Sequence, residues 1–139
     1  MAKSNSSIHV LECDTSSLSS ISNLPSQITK ALGSDAKLDY LLNNAATNSV
    51  PDQLSLNIDP EALLKEVGVN VIGPAKVVET LQGFLKKGSL IMNMSSGLGS
   101  AGLTISDIGS KCTVYSISKH ALNMLTVHQS FNLKEQGVL

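Results

Sequence analysis

Leu38-Asp39-Tyr40-Leu41-Leu42-Asn43-Asn44-Ala45-Ala46 is the stretch on which the fold turns. Its first five residues form a short apolar run of strand length. A run of that kind, closing in small polar residues, is the carboxyl end of a sheet strand, where a ligand can approach the backbone. On either side, apolar and polar segments alternate as strand, helix, strand, helix, strand, loop, helix, the rhythm of a parallel sheet covered by helices. The expected class is α/β. Upstream, Ile8-His9-Val10-Leu11 reads as a short buried strand closing at Cys13-Asp14. Thr15 or Ser16 then caps a helix running to Leu32, with Gly33 as its stop.

Downstream, Asp59-Pro60-Glu61 combines a capping side chain, a proline whose missing N–H costs nothing in a first turn, and an acid favoured by the helix dipole. It predicts a helix over 59–85. Inside that helix Pro74 cannot donate to the carbonyl of Asn70, so a kink is expected and the Asn70 carbonyl is left free. Residues 89–94 read as a third strand, and 95–110 as a Gly- and Ser-rich loop too broken for a long helix. From 114 to 135 apolar residues recur at helical spacing until Gly137 ends the run.

The 139 residues, 42% of them hydrophobic, suffice for one compact domain, expected over 1–139. Ten lysines, no arginine and eleven acids leave a net charge of -1 and no basic footprint for nucleic acid or an anionic membrane. No apolar run is long enough to span a bilayer, and Met1-Ala2-Lys3-Ser4 leads into no signal-peptide core, so a soluble, cytoplasmic protein is expected. Cys13 and Cys112 lie far apart, without metal-ligand spacing, and read as two reduced thiols. His9, His120 and His128 have no HxxxH partner and read as packing or surface residues, so no metal is expected.

The chemistry is concentrated in Tyr115-Ser116-Ile117-Ser118-Lys119. Residues four apart share a helix face, so Tyr115 and Lys119 can act together. A phenol is a poor acid or base near neutrality, but an ammonium beside it favours the phenolate and makes it usable for proton transfer. The strand Ile91-Met92-Asn93-Met94 delivers Ser95-Ser96 to the carboxyl edge of the sheet, where a hydroxyl can donate to a substrate oxygen.

Together with Asn43-Asn44-Ala45, with Asn70 in Val69-Asn70-Val71 and with Asp14, these motifs stand in an order that resembles the short-chain dehydrogenase/reductase family, from its third strand through its fifth helix. The resemblance implies a partial Rossmann-like, doubly wound parallel sheet. The family's first two strands and C-terminal strands would lie outside this chain. It also implies an NAD(P) cofactor and a small-molecule carbonyl or secondary alcohol as substrate, with no part for nucleic acid or membrane. Tyr115 is similar to the family's general acid/base, and Lys119 to the residue that binds the nicotinamide ribose. Ser96 matches the substrate-positioning hydroxyl, with Ser95 as its nearest competitor. Asn70 matches the asparagine whose main-chain carbonyl holds a water of the proton relay. Asp14 resembles the acid that meets adenine, and Asn43, Asn44 and Ala45 the turn beside the cofactor. The helices matching 59–85 and 114–135 imply a homo-oligomer.

The chain departs from the family pattern in three ways. Ala46 stands where the family has glycine, adding a methyl group beside the cofactor turn. No Gly-rich phosphate turn precedes Ile8, which raises the alternative of a non-catalytic fragment or binding module unable to hold cofactor. Because the family's third and fourth strands are separated by its first and second, a gap is expected beside the strand at 38–42. Gly97-Leu98-Gly99-Ser100-Ala101-Gly102 fits a dinucleotide fingerprint, yet no helical stripe follows it, and it reads as a mobile loop beside the active site. A Ser-His hydrolase lacks support, since no Gly-x-Ser-x-Gly surrounds Ser95 or Ser96.

Overall fold

The computed structural model describes residues 7–108 and 111–139, with backbone alone at 107 and 108. The N-terminal Met1-Ala2-Lys3-Ser4, and Gly109 and Ser110 at the end of the expected loop, lie outside the described residues.

Two parallel strands form the centre, β1 (Leu38–Asn43) and β2 (Leu85–Asn93), with Tyr40 opposite Leu90 and Asn43 opposite Asn93. Residues 137–139 start a third parallel run on the far side of β2. Leu139 N–H donates to the Ser89 carbonyl at 2.8 Å and Ile91 N–H to the Leu139 carbonyl at 2.7 Å. Parallel strands require crossovers, and the helices supply them. Between β1 and β2 run α3 (Pro60–Val67), a π turn (Gly68–Ile72) and α4 (Gly73–Leu81); between β2 and the C-terminus runs α6 (Thr113–Leu133). The α/β class with a parallel sheet is therefore as expected.

Helices of this chain cover one sheet face. Leu41 packs inward against Ile21, Leu24, Ile28, Val77 and Leu81 on one flank; Leu41 and Ile91 meet Val78, Leu133 and Val138 on the other. Tyr40, Leu42, Leu90 and Met92, on the opposite face by strand alternation, are exposed. Among the described residues β1 has a hydrogen-bonded neighbour on one side only, the gap the family topology implies.

Five expectations need correction, the first being that the helix expected over 59–85 ends at Leu81 and that Leu85 already opens the strand expected from 89. Ile8-His9-Val10-Leu11 is not a strand, and Ile8 and Val10 are exposed: an extended segment without a neighbour has nowhere to place its ladder hydrogen bonds. The single helix expected up to Leu32 is two, α1 (Leu18–Ser22), capped by Ser17 rather than by Thr15 or Ser16, and α2 (Leu24–Leu32), because Pro25 has no N–H for the carbonyl of Ile21. The kink expected at Pro74 is a π turn, in which Gly73 N–H reaches back five residues to the Gly68 carbonyl and Pro74 occupies the first turn of α4. Residues 97–108 fold into tight helical turns, including α5 (Ala101–Leu103), whose cap is the Ser100 hydroxyl. Asp59, Gly33 and Gly137 take the terminal roles expected of them: Asp59 accepts from Glu61 N–H, and Gly33 and Gly137 have φ of 93° and 68°.

Candidate active site

Because β1 and β2 are parallel, their carboxyl ends lie side by side and both run into small polar residues. Asn43 Nδ2 donates to Asn93 Oδ1 at 2.9 Å, and Met94 N–H donates to the Asn43 carbonyl at 2.9 Å. Asn93 Nδ2 reaches Thr126 Oγ1 and Gln129 Oε1 of α6, so this network joins both strand ends to the last helix. Asn44 and Ala45 stand exposed beyond the strand. With Asn43 they line a cavity of about 220 Å³ whose other wall includes Cys13, Thr15 and Pro74. Segment 13–15 is held there by close packing: a Cβ on Gly73 would stand 2.7 Å from the Thr15 carbonyl oxygen. Asp14, exposed beside it, accepts from the Ser16 hydroxyl at 2.7 Å and the Ser16 N–H at 2.9 Å through Oδ1, and those hydrogen bonds hold its carboxyl below the usual carboxylate range.

The second group of residues comes from the first turns of α6. Val114, Ser118, Lys119 and Leu122 face inward and are buried, and Tyr115, one turn before Lys119, is half-buried. The Lys119 ammonium lies 5.5 Å from the centre of the Tyr115 ring, within the range of a cation–π contact. Lys119 Nζ donates to the Met94 carbonyl at 2.7 Å. Burial lowers the pKa of Lys119, and the negative charge of Glu66 acts in the opposite sense.

The end of β2 presses directly on this turn. Ser95 Oγ is directed at the Lys119 carbonyl at 3.5 Å, whereas Ser96 Oγ accepts from Leu98 N–H at 3.2 Å and caps the turn that follows. A Cβ on Gly99 would stand 2.9 Å from the backbone of Lys119. The Gly99 carbonyl accepts from Asn123 Nδ2 at 3.1 Å and from His120 Nδ1 at 2.9 Å, which fixes the proton on that ring nitrogen. Of the glycines in the fingerprint-like stretch, Gly99 thus serves packing against α6. Between that stretch and α6 lies an open, largely apolar groove of about 510 Å³, lined by Leu98, Ala101, Ile105, Ser116, Ile117 and His120 among others.

Asn70, in the π turn, is wholly buried. Thr47 N–H donates to its Oδ1 at 2.8 Å, and its Nδ2 faces the Thr47 carbonyl at 2.9 Å, Glu66 Oε2 at 3.0 Å and Ser118 Oγ at 2.9 Å. The structure therefore gathers Tyr115, Lys119, the Ser95-Ser96 strand end and Asn70 around one turn of α6. Asn43-Asn44-Ala45 line the cavity beside β1, and Asp14 stands in the chain between two other lining residues, Cys13 and Thr15. Glu66 and Ser118 belong to the group around α6 and were not among the residues expected there. The one sequence signal for Glu66 is its i,i+4 spacing from Asn70, and for Ser118 its place next to Lys119.

The whole chain, residues 1–139, matches the family model described as short chain dehydrogenase. The chain belongs to the short-chain dehydrogenase family. It is 31% identical over 144 residues to the uncharacterised oxidoreductase C663.06c of Schizosaccharomyces pombe, covering 99% of this chain and 53% of that protein. It thus spans about half the length of the curated relatives it matches. Among solved structures, carbonyl reductase Sniffer of D. melanogaster superposes with a TM-score of 0.86 at 26% identity, over 99% of this chain and 59% of Sniffer. A Burkholderia multivorans protein described as a short-chain dehydrogenase/reductase, with bound NADP, gives a TM-score of 0.75 at 26% identity over 90% of this chain and 51% of that one.

Proposed function

We propose that this chain carries the proton-transfer part of an NAD(P)-dependent oxidoreductase of the carbonyl reductase or alcohol dehydrogenase type. Its substrate is a small-molecule carbonyl compound or secondary alcohol. The observation that carries the reading is a buried ammonium stacked on a half-buried phenol, Lys119 on Tyr115 at 5.5 Å, at the carboxyl end of a parallel strand. The resemblance to an oxidoreductase and to a carbonyl reductase supports it.

The residues present fit a dinucleotide. The cavity between Thr15 and Asn43-Asn44-Ala45, with the Asp14 carboxylate beside it, suits the adenosine end, and Lys119 suits the nicotinamide ribose. When bound, the nicotinamide supplies or takes the hydride. Tyr115 gives its hydroxyl proton to the substrate oxygen in reduction and takes one back in oxidation. Lys119 sets its positive charge 5.5 Å from the centre of the phenol ring. Ser96, whose oxygen already accepts from Leu98, donates its own hydrogen to the substrate oxygen; Ser95 is turned toward the helix backbone. Asn70 offers a main-chain carbonyl that no N–H at Pro74 can occupy, a place for a relay water. The groove beside α6 suits an apolar substrate body. Ile117, Met124 and Phe131, seven residues apart and exposed along α6, support self-association through that helix.

Calorimetric titration with NADH and NADPH tests the reading. Saturable binding of either below millimolar concentration is expected, weakened in Lys119→Met. Failure of both to bind refutes the reading for this chain and fits a non-catalytic module instead.

A further inference from the structure

Burying a carboxylate costs several kcal/mol unless hydrogen bonds and charge compensate. Glu66 is 0% exposed on the inner face of α3. Its Oε1 accepts from Ser49 N–H at 2.6 Å and from the Ser49 hydroxyl at 3.0 Å, and its Oε2 faces Asn70 Nδ2 at 3.0 Å. The four-residue spacing puts Glu66 and Asn70 on one side of the helix, and the Thr47 N–H bond to Asn70 Oδ1 fixes which way the amide points. The same amide nitrogen meets Ser118 Oγ, which passes its own hydrogen to the Tyr115 carbonyl at 2.7 Å. A chain of short contacts thus leads from the carboxylate through Asn70 and Ser118 to the turn that presents the phenol.

We infer that Glu66 is a positioning residue for Tyr115 and Lys119: its carboxylate locks Asn70 and the first turn of α6 in place and sets a negative charge against the buried ammonium. The inference rests on the proposed function for its catalytic meaning, but its physical content stands on the buried cluster. Without a counter-charge, an ammonium that is 1% exposed loses its proton readily, and Glu66 opposes that loss. Among the described residues, the other titratable groups beside Lys119 on its own helix are Tyr115 and His120, and α3 carries Glu61 and Lys65, both exposed. Neither 94–99, the segment pressed on it, nor 44–49, the loop tied to Glu66, contains any.

Glu66→Gln keeps the shape but removes the charge, and its amide cannot accept from both Ser49 and Asn70. The test is an NMR titration of the Lys119 Cε resonance, assigned with Lys119→Met, in wild type and Glu66→Gln, with the fold of each checked by circular dichroism. The expected result is a Lys119 midpoint at lower pH in the variant. Where turnover is measured, the alkaline limb of kcat shifts in the same direction while the cofactor KM changes little. A folded Glu66→Gln protein with an unmoved Lys119 midpoint overturns the inference. If Glu66→Gln does not fold, Glu66→Asp carries the test: a lowered midpoint supports the inference, and an unchanged one overturns it. A wild type without turnover would count against the proposed function alone, because the NMR titration still decides the role of Glu66.

Discussion

Replacing Gly99 with alanine drives a methyl group into the backbone of α6. The added Cβ would stand 2.9 Å from the carbonyl carbon of Lys119, 2.9 Å from its Cβ and 3.1 Å from its carbonyl oxygen. Carbon atoms pack at about 3.5–4.0 Å, so relief requires a shift of roughly 0.5–1 Å. A 21-residue helix buried along Val114, Ser118 and Leu122 will not move, so the turn at 97–99 must. Overpacking of this kind costs about 1–3 kcal/mol. Displacing the turn also loosens the Gly99 carbonyl from His120 and Asn123, at about 1 kcal/mol for each neutral hydrogen bond. The expected loss is roughly 3–5 kcal/mol, a fall in Tm on the order of 10 °C for a domain of this size. Gly68→Ala is the control: no atom lies within 4 Å of its Cβ, and its backbone is helical, so alanine there should gain about 0.5–1 kcal/mol. Urea unfolding of both variants measures the difference. A Gly99→Ala protein within about 0.5 kcal/mol of wild type, well below the overpacking cost, would refute the packing argument.

The buried cluster makes further predictions. Asn70→Ala leaves Thr47, Ser118 and Glu66 without their shared partner and should cost about 3 kcal/mol or more in urea unfolding; a loss under about 1 kcal/mol would contradict the network described. Leu122→Ala, at a side chain 1% exposed, should cost about 2–5 kcal/mol by the same measurement. The lowered pKa of Lys119 has a definite sign. Between that pKa and the ordinary lysine value of 10.5, the unfolded chain binds more protons than the folded one, so the contribution of Lys119 to stability rises with pH. Stability curves of wild type minus Lys119→Met should slope upward across that window, and a flat difference would mean the lysine is not perturbed by burial.

What could be read from the sequence was what local chemistry decides. Asp59 caps its helix and Gly33 and Gly137 end theirs because side-chain hydrogen bonding and left-handed backbone are properties of single residues. The alternation around residues 38–46 located β1 because its inward side chains must be apolar wherever the helices come from. Ile8-His9-Val10-Leu11 has the same local signature and is no strand, since strand formation depends on a neighbour that no window of sequence contains. Pro25 is as visible as Pro74, and its missing N–H makes the break between α1 and α2. At the site, Tyr115, Lys119 and the Ser95-Ser96 pair stand out by residue type. Glu66 does not: next to Lys65 on an amphipathic helix it looks like a solvated charge, and only the approach of Thr47–Ser49 and Asn70 in three dimensions turns it inward.

The central claim, that Tyr115 moves the proton, is tested most directly by following NADPH consumption with a carbonyl substrate in wild type and Tyr115→Phe. Removing only the hydroxyl should lower kcat by about 10²–10⁴-fold, the usual contribution of a general acid, with cofactor binding largely intact. Equal turnover in the two proteins, or no turnover in wild type, would contradict it.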